Sequence, residues 1–290
     1  MDLPPPGTAP HMSDMAETAP RAGRFTILRH PLTIRITHWV NVLALLVMLM
    51  SGLQIFNAHP ALDWGNISAF EHPLLSMTAM MKDGKPVGVT TVFGHSFDTT
   101  GVLGLSTSDG RPSPRGFPSW ATIPSYQDLA TGRVWHFFFA WVLVLNGFVY
   151  LIYALASRHV WRDLIPSAAQ LRHIGRDIID HARFRFPKGE EAKHYNVLQK
   201  LAYLSIVFVV LPLIVLAGLC LSPQFDADYP WLVALFGGRQ SARTIHFLCA
   251  TALVLFVLVH VFMVLVSGVW NNLRSMITGR YTIEGDAHDR

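Results

Sequence analysis

The chain has 290 residues, of which 51% are hydrophobic and only 14% are charged, and its formal net charge is +4. This composition is typical of a membrane protein and excludes a soluble basic protein of ordinary make-up. Because so small an excess of charge in so apolar a chain is a poor basis for binding phosphates, no nucleic-acid partner is expected.

The chain begins with a polar segment and continues with four apolar runs. Residues 1–25 are rich in Pro, Ala and small polar residues and contain no apolar stretch, so they are predicted to be a disordered lead and not a signal peptide. The four later runs are each long enough to cross a bilayer. They are residues 37–56, 134–156, 201–221 and 245–270. Pro212 is expected to kink the third run.

Basic residues are unevenly divided between the two sides of the predicted bundle. Segments 1–36, 158–196 and 269–290 together hold 15 Lys and Arg, whereas segments 57–130 and 222–243, of nearly equal total length, hold 6. By the positive-inside rule, both termini are cytoplasmic. The prediction is an all-α membrane protein, a four-helix transmembrane bundle with both termini cytoplasmic and a long external loop. Its domain covers residues 26–275, with a cytoplasmic tail at 276–290.

Two connections are long enough to have structure of their own. The external loop 57–130 contains a predicted β-hairpin turning at Asp83–Gly84, and the rest is rich in Gly, Pro and Ser. Three interpretations stay open for this loop: a lid over a cofactor, a platform for an external partner, or an insertion without a role. The cytoplasmic segment 158–196 is basic with spaced apolar residues, which predicts an amphipathic helix on the inner membrane surface.

Four histidines fall within the spans and pair by depth. His246 and His260 are fourteen residues apart, close to four helical turns, so they share a face and are separated by about 21 Å of rise. His246 and His136 lie near the outer surface, and His260 and His38 near the inner one. An imidazole at membrane depth is costly, and two matched pairs on three helices favour ligation of two six-coordinate haems, His38/His260 and His136/His246.

Other sequence features limit which cofactors and which classes of protein are possible. The two cysteines, Cys220 and Cys249, lie in apolar runs, and the chain has no C-x-x-C-H motif, so any haem would be held non-covalently. A transporter or metal-binding protein with a histidine relay is the alternative from another class. The spans contain no Asp or Glu to accompany the histidines, and two pairs at opposite depths do not make one continuous path.

Three of the four histidines have an arginine three residues earlier, on the same helix face. These arginines are Arg35, Arg133 and Arg243. They are candidates for binding haem propionates, since arginine meets carboxylates in bidentate geometry, or they are ordinary interfacial anchors. The spans also contain Gly52, Gly147 and Gly218, where a missing side chain lets a macrocycle or a neighbouring helix approach closely.

The segment RHPLTIRITHWVNVLALLVMLMSGLQIF, with the single histidine opening span 2 and the fourteen-residue histidine spacing, resembles the bacterial dihaem cytochrome b family. That family includes the gamma subunits of formate dehydrogenases, the cytochrome b subunits of nickel–iron hydrogenases and the membrane subunits of thiosulfate-reductase-type complexes. The resemblance implies that the four histidines are axial ligands of two haems b. It also implies electron transfer between a periplasmic redox partner and the quinone pool.

Just before span 3, the sequence HYNVLQKLAY is similar to the N-x-x-Q-K element of formate dehydrogenase gamma subunits. The resemblance implies a quinone pocket at Asn196, Gln199 and Lys200, beside the cytoplasmic haem. The chain departs from that element at Val197–Leu198, where the family has small residues. A polar helix start is the other interpretation of Asn196 and Gln199.

The partner is expected to be a periplasmic redox subunit docked on loop 57–130, with molybdenum enzymes among the candidates. The alternative is a stand-alone membrane oxidoreductase of the same fold, whose outer haem reacts directly with a small molecule. The direction of electron flow follows from reduction potentials, which no residue pattern fixes.

Overall fold

The computed structural model describes residues 23–68, 71–183 and 197–285. Most of the predicted lead at 1–25 and the last residues of the predicted tail therefore lie outside the described residues. The helices are α1 (Leu32–Phe56), α2 (Leu129–Ala156), α3 (Ala168–Arg172), α4 (Ile174–Ala182), α5 (Val197–Ser205), α6 (Leu211–Leu219), α7 (Pro223–Asp228), α8 (Pro230–Leu235), α9 (Arg239–Val266) and α10 (Val269–Thr278). The strands are β1 (Gly23–Leu28), β2 (Ala61–Leu62), β3 (Leu75–Lys82), β4 (Lys85–Val92), β5 (His95–Asp98), β6 (Gly104–Ser108), β7 (Arg111–Arg115) and β8 (Arg280–Gly285).

Four helical segments are long and apolar enough to cross a membrane, which confirms the predicted spans. Span 1 is α1, span 2 is α2, span 3 runs through α5 and α6 over Val197–Leu219, and span 4 is α9. The shortest has 23 residues, which corresponds to about 34 Å of helix against a hydrocarbon core of about 30 Å. Each begins several residues before the predicted start, because its first turns carry polar residues that an apolar window excludes.

Helix ends follow local chemistry. Asp128 caps α2 by accepting hydrogen bonds from the backbone N–H groups of Ala130 and Thr131. The hydroxyl and backbone N–H of Thr131 hold the pKa of Asp128 below its usual value.

At the other side of the bundle α9 ends at Val266, and Gly268, with φ of 107°, turns the chain into α10. The predicted run 245–270 is therefore too long, because its last residues belong to the next helix.

Span 3 is irregular where the proline was predicted to disturb it. A π-helical turn, Ile206–Val210, stands immediately before the turn that holds Pro212. Proline has no N–H for the carbonyl four residues earlier, and a wider turn is one way for the helix to continue past it.

The surface of the bundle is inverted relative to that of a soluble protein. Large apolar side chains such as Phe138, Trp141 and Leu258 are 63%, 68% and 61% exposed, whereas Ser51 and Gln54 are 0% and 2% exposed. Apolar side chains outside and polar side chains inside are what a bilayer requires of a helix bundle. The chain is a membrane protein.

Loop 57–130, called the outer loop after its predicted side of the membrane, contains β-structure, so the all-α prediction holds for the spans and fails for this loop. Strands β2 to β5 form a four-stranded sheet, and β6 and β7 form a separate hairpin. The predicted hairpin is confirmed, with Lys82 paired to Lys85 and both turn residues, Asp83 and Gly84, at positive φ. Such a turn favours Asp-Gly. The other strands are short and interrupted by Gly and Pro, and their sequences give no clear alternation.

A buried arginine fixes the outer loop to span 1. Arg115 is 3% exposed, and its guanidinium donates hydrogen bonds to the carbonyls of Phe117 and Ser125 at 2.7 and 2.8 Å. It also donates to Oε1 of Gln54 at 3.1 Å and to Oγ1 of Thr122 at 2.9 Å. Because Gln54 lies in the last turns of α1, these bonds hold the end of the loop against the outer end of the bundle.

The beginning of the same loop is fixed to span 4. The backbone N–H of Gly65 donates to Oγ of Ser241 at 2.8 Å, and Oγ1 of Thr244 donates to the carbonyl of Asp63 at 2.6 Å. The outer loop therefore connects spans 1 and 4 laterally, in addition to its covalent link from span 1 to span 2.

On the opposite side, the two ends of the described chain pair with each other. Strands β1 and β8 are antiparallel, with Gly23 opposite Gly285 and Leu28 opposite Arg280. The folded unit thus extends beyond 26–275 at both ends. The predicted amphipathic segment 158–196 is described as far as residue 183 and is divided into a π-helical turn (Val160–Leu164), α3 and α4. Its location on the membrane surface stays a prediction.

Candidate functional site

The two outer histidines face each other across the bundle. His136 on α2 and His246 on α9 have ring centroids 6.2 Å apart at an interplanar angle of 63°. Both lie two turns into helices that start next to the outer loop. The structure therefore brings together the pair that the depth argument predicts.

The two inner histidines form the second facing pair. His38 on α1 and His260 on α9 have ring centroids 6.4 Å apart at 55°. Phe256, one turn before His260, stacks on its ring at 5.8 Å. Burial lowers the pKa of the nearby His30, which precedes α1, to about 4, with Arg29 adding to the effect. His30 is therefore neutral at pH 7.

The spacing of both pairs fits one metal ion between two imidazoles. With a metal–nitrogen distance of about 2 Å and a ring centre about 1.1 Å behind each nitrogen, two imidazoles on opposite sides of one metal ion would have centroids about 6.2 Å apart. The observed distances are 6.2 and 6.4 Å. Among the described residues no cluster of three or more His, Cys, Asp or Glu forms a metal site. Two-histidine sites of this kind therefore suit a metal whose other ligands come from a macrocycle.

Backbone carbonyls orient the outer imidazoles. Nδ1 of His136 lies 3.1 Å from the carbonyl of Met48, and Nδ1 of His246 lies 2.8 Å from the carbonyl of Ile214. A carbonyl only accepts hydrogen bonds, so each Nδ1 carries the proton and each Nε2 keeps its lone pair for a metal. These acceptors are backbone atoms, which no sequence motif identifies.

Glycines make this approach possible. A Cβ at Gly52 would lie 3.3 Å from Cε1 of His136, and one at Gly218 would lie 3.1 Å from Cε1 of His246. A macrocycle or a neighbouring helix was predicted to approach these glycines, and the groups that do so at Gly52 and Gly218 are imidazole rings. A Cβ at Gly147 would meet nothing within 4 Å.

The three predicted propionate-binding arginines lie beside their histidines and also contact the protein. Arg35 donates to the carbonyl of Ile277 at 2.5 Å, and the Arg133 guanidinium lies 5.7 Å from the Phe137 ring centre. Arg243 donates to the carbonyl of His59, and its guanidinium lies 5.4 Å from the ring centre of Phe56. Their role toward a propionate stays a prediction.

The predicted quinone residues are only partly described. Asn196 lies outside the described residues, whereas Gln199 and Lys200 lie in the first turn of α5. Lys200 is 8% exposed, and its ammonium donates to Oε1 of Gln170 at 3.2 Å. Gln170, which the sequence argument did not single out, also forms the capping box of α3 with Ser167.

Four apolar spans that hold four histidines as two facing pairs define a class, the membrane cytochromes b. The family model of the prokaryotic cytochrome b561 matches residues 29–279, and the chain belongs to this family. It is therefore a membrane electron-transfer protein of the b561 type, and the family implies haem of b type. The predicted resemblance to bacterial membrane cytochromes b is confirmed.

One curated relative is the putative protein-methionine-sulfoxide reductase subunit YedZ1 of Azospira oryzae. It is 29% identical over 235 residues, which cover 81% of this chain and 89% of the relative. The similarity thus extends over most of both chains.

Replacing Gly218 tests the close packing around His246. Gly218→Ala is expected to destabilise the protein by about 1–3 kcal/mol, because the added methyl group meets the imidazole and a well-packed site cannot absorb it. Gly147→Ala is the matched control, and it should be neutral or slightly stabilising because alanine favours helix. Thermal unfolding in detergent measures both. Equal unfolding midpoints for the two variants would contradict the packing described above.

Proposed function

We propose that this protein transfers electrons across the inner membrane through two haems b, each held by two histidines. His136 and His246 bind the outer haem, and His38 and His260 bind the inner one. The observation that carries the proposal is the pair of centroid distances, 6.2 and 6.4 Å, each matching the span of two imidazoles across one iron. When bound, each haem supplies an iron that accepts and releases one electron without a change of ligands.

The remaining work falls to side chains of this chain. The two carbonyl–Nδ1 bonds hold the outer imidazoles in place and leave the lone pair on each Nε2 for a metal. Arg35, Arg133 and Arg243 lie in the first two turns of their helices, and we assign them to the haem propionates at the membrane boundary. Span 4 carries a histidine of each pair, so one helix fixes the separation of the two sites at about 21 Å.

We infer an orientation with both termini in the cytoplasm and the outer loop in the periplasm. The excess of Lys and Arg on the side of segments 1–36, 158–196 and 269–290 supports it. The pairing of β1 with β8 agrees with an even number of spans, because it requires residues 23–28 and 280–285 to lie on one side of the membrane.

We assign the exposed part of the outer loop to a periplasmic redox subunit. Phe93 is 73% exposed and adopts φ of 47°, a conformation that favours Asn, Asp or Gly, in the turn between β4 and β5. Phe97, on β5 of the same hairpin, is 57% exposed. Exposed apolar side chains on a folded platform favour a protein contact. The relative's name describes a reductase subunit, which supports a partner of the oxidoreductase class. Molybdenum enzymes remain candidates within that class.

We place quinone chemistry at the inner side, beside Gln199 and Lys200. An apolar groove of about 390 Å³ begins one turn beyond them, between the two π-helical turns. It is lined by Val160, Ile165, Leu204, Ser205, Phe208 and Val209. An isoprenoid tail suits such a lining, and the Lys200 ammonium offers a hydrogen bond to a quinone carbonyl.

The haem assignment is tested by a reduced-minus-oxidised optical spectrum with a haem-to-protein ratio. The wild type is expected to bind two low-spin b haems, and His136→Ala and His260→Ala should each remove one, because each takes away one of two protein ligands. His159→Ala is the control, since His159 pairs with Asp163 outside the spans. One haem in the wild type would remove one pair from the proposal. A folded protein that binds none when reconstituted would refute it and favour a relay of histidines.

The quinone assignment is tested by Lys200→Met. Loss of a charged hydrogen-bond donor is expected to slow electron exchange between a water-soluble quinone analogue and the haems by about tenfold, with haem content unchanged. Stopped-flow absorbance in the haem region measures this rate. Lys82→Met, on the exposed hairpin, is the control. Identical rates in the two variants would rule out the Lys200 contact.

The partner assignment is tested by Phe93→Asn. Asparagine suits the left-handed turn, so folding is preserved, while removal of an exposed aromatic anchor should weaken partner binding by more than about tenfold. The control is Asp83→Asn, in a turn of the same kind that carries no aromatic group. Binding is read from the periplasmic subunit that copurifies from native membranes. A wild-type protein that copurifies with no second subunit would support the stand-alone oxidoreductase instead.

A further inference from the structure

The two outer histidines each contact a backbone carbonyl and a glycine four residues apart on a neighbouring helix, which is α1 for His136 and α6 for His246. Met48 and Gly52 on α1 are four residues apart, as are Ile214 and Gly218 on α6. In each case the carbonyl of the first residue accepts from a histidine Nδ1, and the glycine leaves room for the ring. A helical carbonyl has two lone pairs, one used within the helix and one available to the imidazole.

Span 1 adds a second acceptor that span 3 does not have. Ser51 is fully buried, and its Oγ donates to the carbonyl of Val47 at 2.7 Å. The same Oγ lies 3.2 Å from Nδ1 of His136. Because the Met48 carbonyl fixes the proton on that nitrogen and the hydroxyl proton is used on Val47, Ser51 must accept from His136. The Nδ1–H of His136 is thus shared between two oxygen atoms.

The inner pair is built differently. Within residues 23–68, 71–183 and 197–285, the buried Nδ1 of His38 has no hydrogen-bond partner. The contrast matters because an acceptor on the outer nitrogen pulls the N–H proton away and makes the other nitrogen a stronger electron donor to a bound metal. A stronger donor favours the oxidised metal and lowers its reduction potential.

We propose that Ser51 is a positioning residue that tunes the outer haem by accepting a hydrogen bond from its ligand His136. The hydroxyl holds the ring in its Nδ1–H form and biases the outer iron toward the ferric state. This inference rests on the proposed function, since it requires His136 to be a haem ligand.

The test is a potentiometric titration of the purified holoprotein, followed in the α-band of each haem. Ser51→Ala is expected to raise the midpoint potential of the outer haem and leave the inner one unchanged. A tenfold change in the ferric-to-ferrous ratio, which corresponds to about 59 mV for one electron, is the expected upper size of the effect. Ser51→Thr keeps the hydroxyl and should return the wild-type potential.

Thr251→Ala is the matched control. Thr251 lies on span 4, and its hydroxyl bonds back to the carbonyl of Phe247 at 3.0 Å, as Ser51 bonds to Val47. Its removal should shift neither potential. Electron paramagnetic resonance of the ferric protein gives a second readout, because a weaker ligand field at one haem changes the g-values of that haem alone.

The outcomes are distinct. An outer potential and ferric spectrum unchanged in Ser51→Ala would overturn the role of Ser51 while leaving the haem assignment intact. An equal shift of both haems would also overturn it, because only a global structural change acts on both. If Ser51→Ala lost the outer haem, Ser51→Cys, which is close in volume and a weaker acceptor, would decide by its potential relative to the wild type. A wild-type protein without an outer haem would refute the proposed function itself.

Discussion

A polar group within the hydrocarbon layer has no water to bond, so each one in these spans must find a partner inside the protein. This constraint organises the bundle from end to end. Asn146 on span 2 donates to the carbonyl of Thr37 at 2.8 Å and to Oδ1 of Asn41 at 2.7 Å, which ties spans 1 and 2 together near the depth of His38. The two outer histidines obey the same rule, since backbone carbonyls accept from their Nδ1 atoms, whereas the buried Nδ1 of His38 has no partner among the described residues.

Features that depend on local periodicity could be predicted from the sequence. Apolar run length predicts a span, and the angle of about 100° per residue predicts that His246 and His260 share a face, so the pairs followed from depth alone. Helix starts were harder to predict, because polar residues such as Arg35 and Arg133 lie in the first turns and lower the hydropathy there. The end of span 4 was missed for a related reason: Gly268 breaks a run that stays apolar on both sides.

Features that depend on contacts between residues far apart in the chain could not be predicted from the sequence. The bond between Arg115 and Gln54 joins positions 61 apart in the chain, and nothing near either residue indicates the other. The acceptor for His136 is a backbone carbonyl, and every residue has one. Within the sheet of the outer loop, only the hairpin at Asp83–Gly84 was predicted, because an Asp-Gly pair favours such a turn without help from distant residues.

Because α9 carries one histidine of each pair, the length of this helix between positions 246 and 260 sets the distance between the two pairs. The chain therefore tolerates changes of length differently inside and outside this helix. Residues can be added to the outer loop without disturbing either pair, provided that its bonds to spans 1 and 4 remain. One residue inserted between positions 246 and 260 would rotate one imidazole by about 100° relative to the other and shift it by about 1.5 Å. Substitutions along this helix are therefore far easier to accommodate than any insertion or deletion within it.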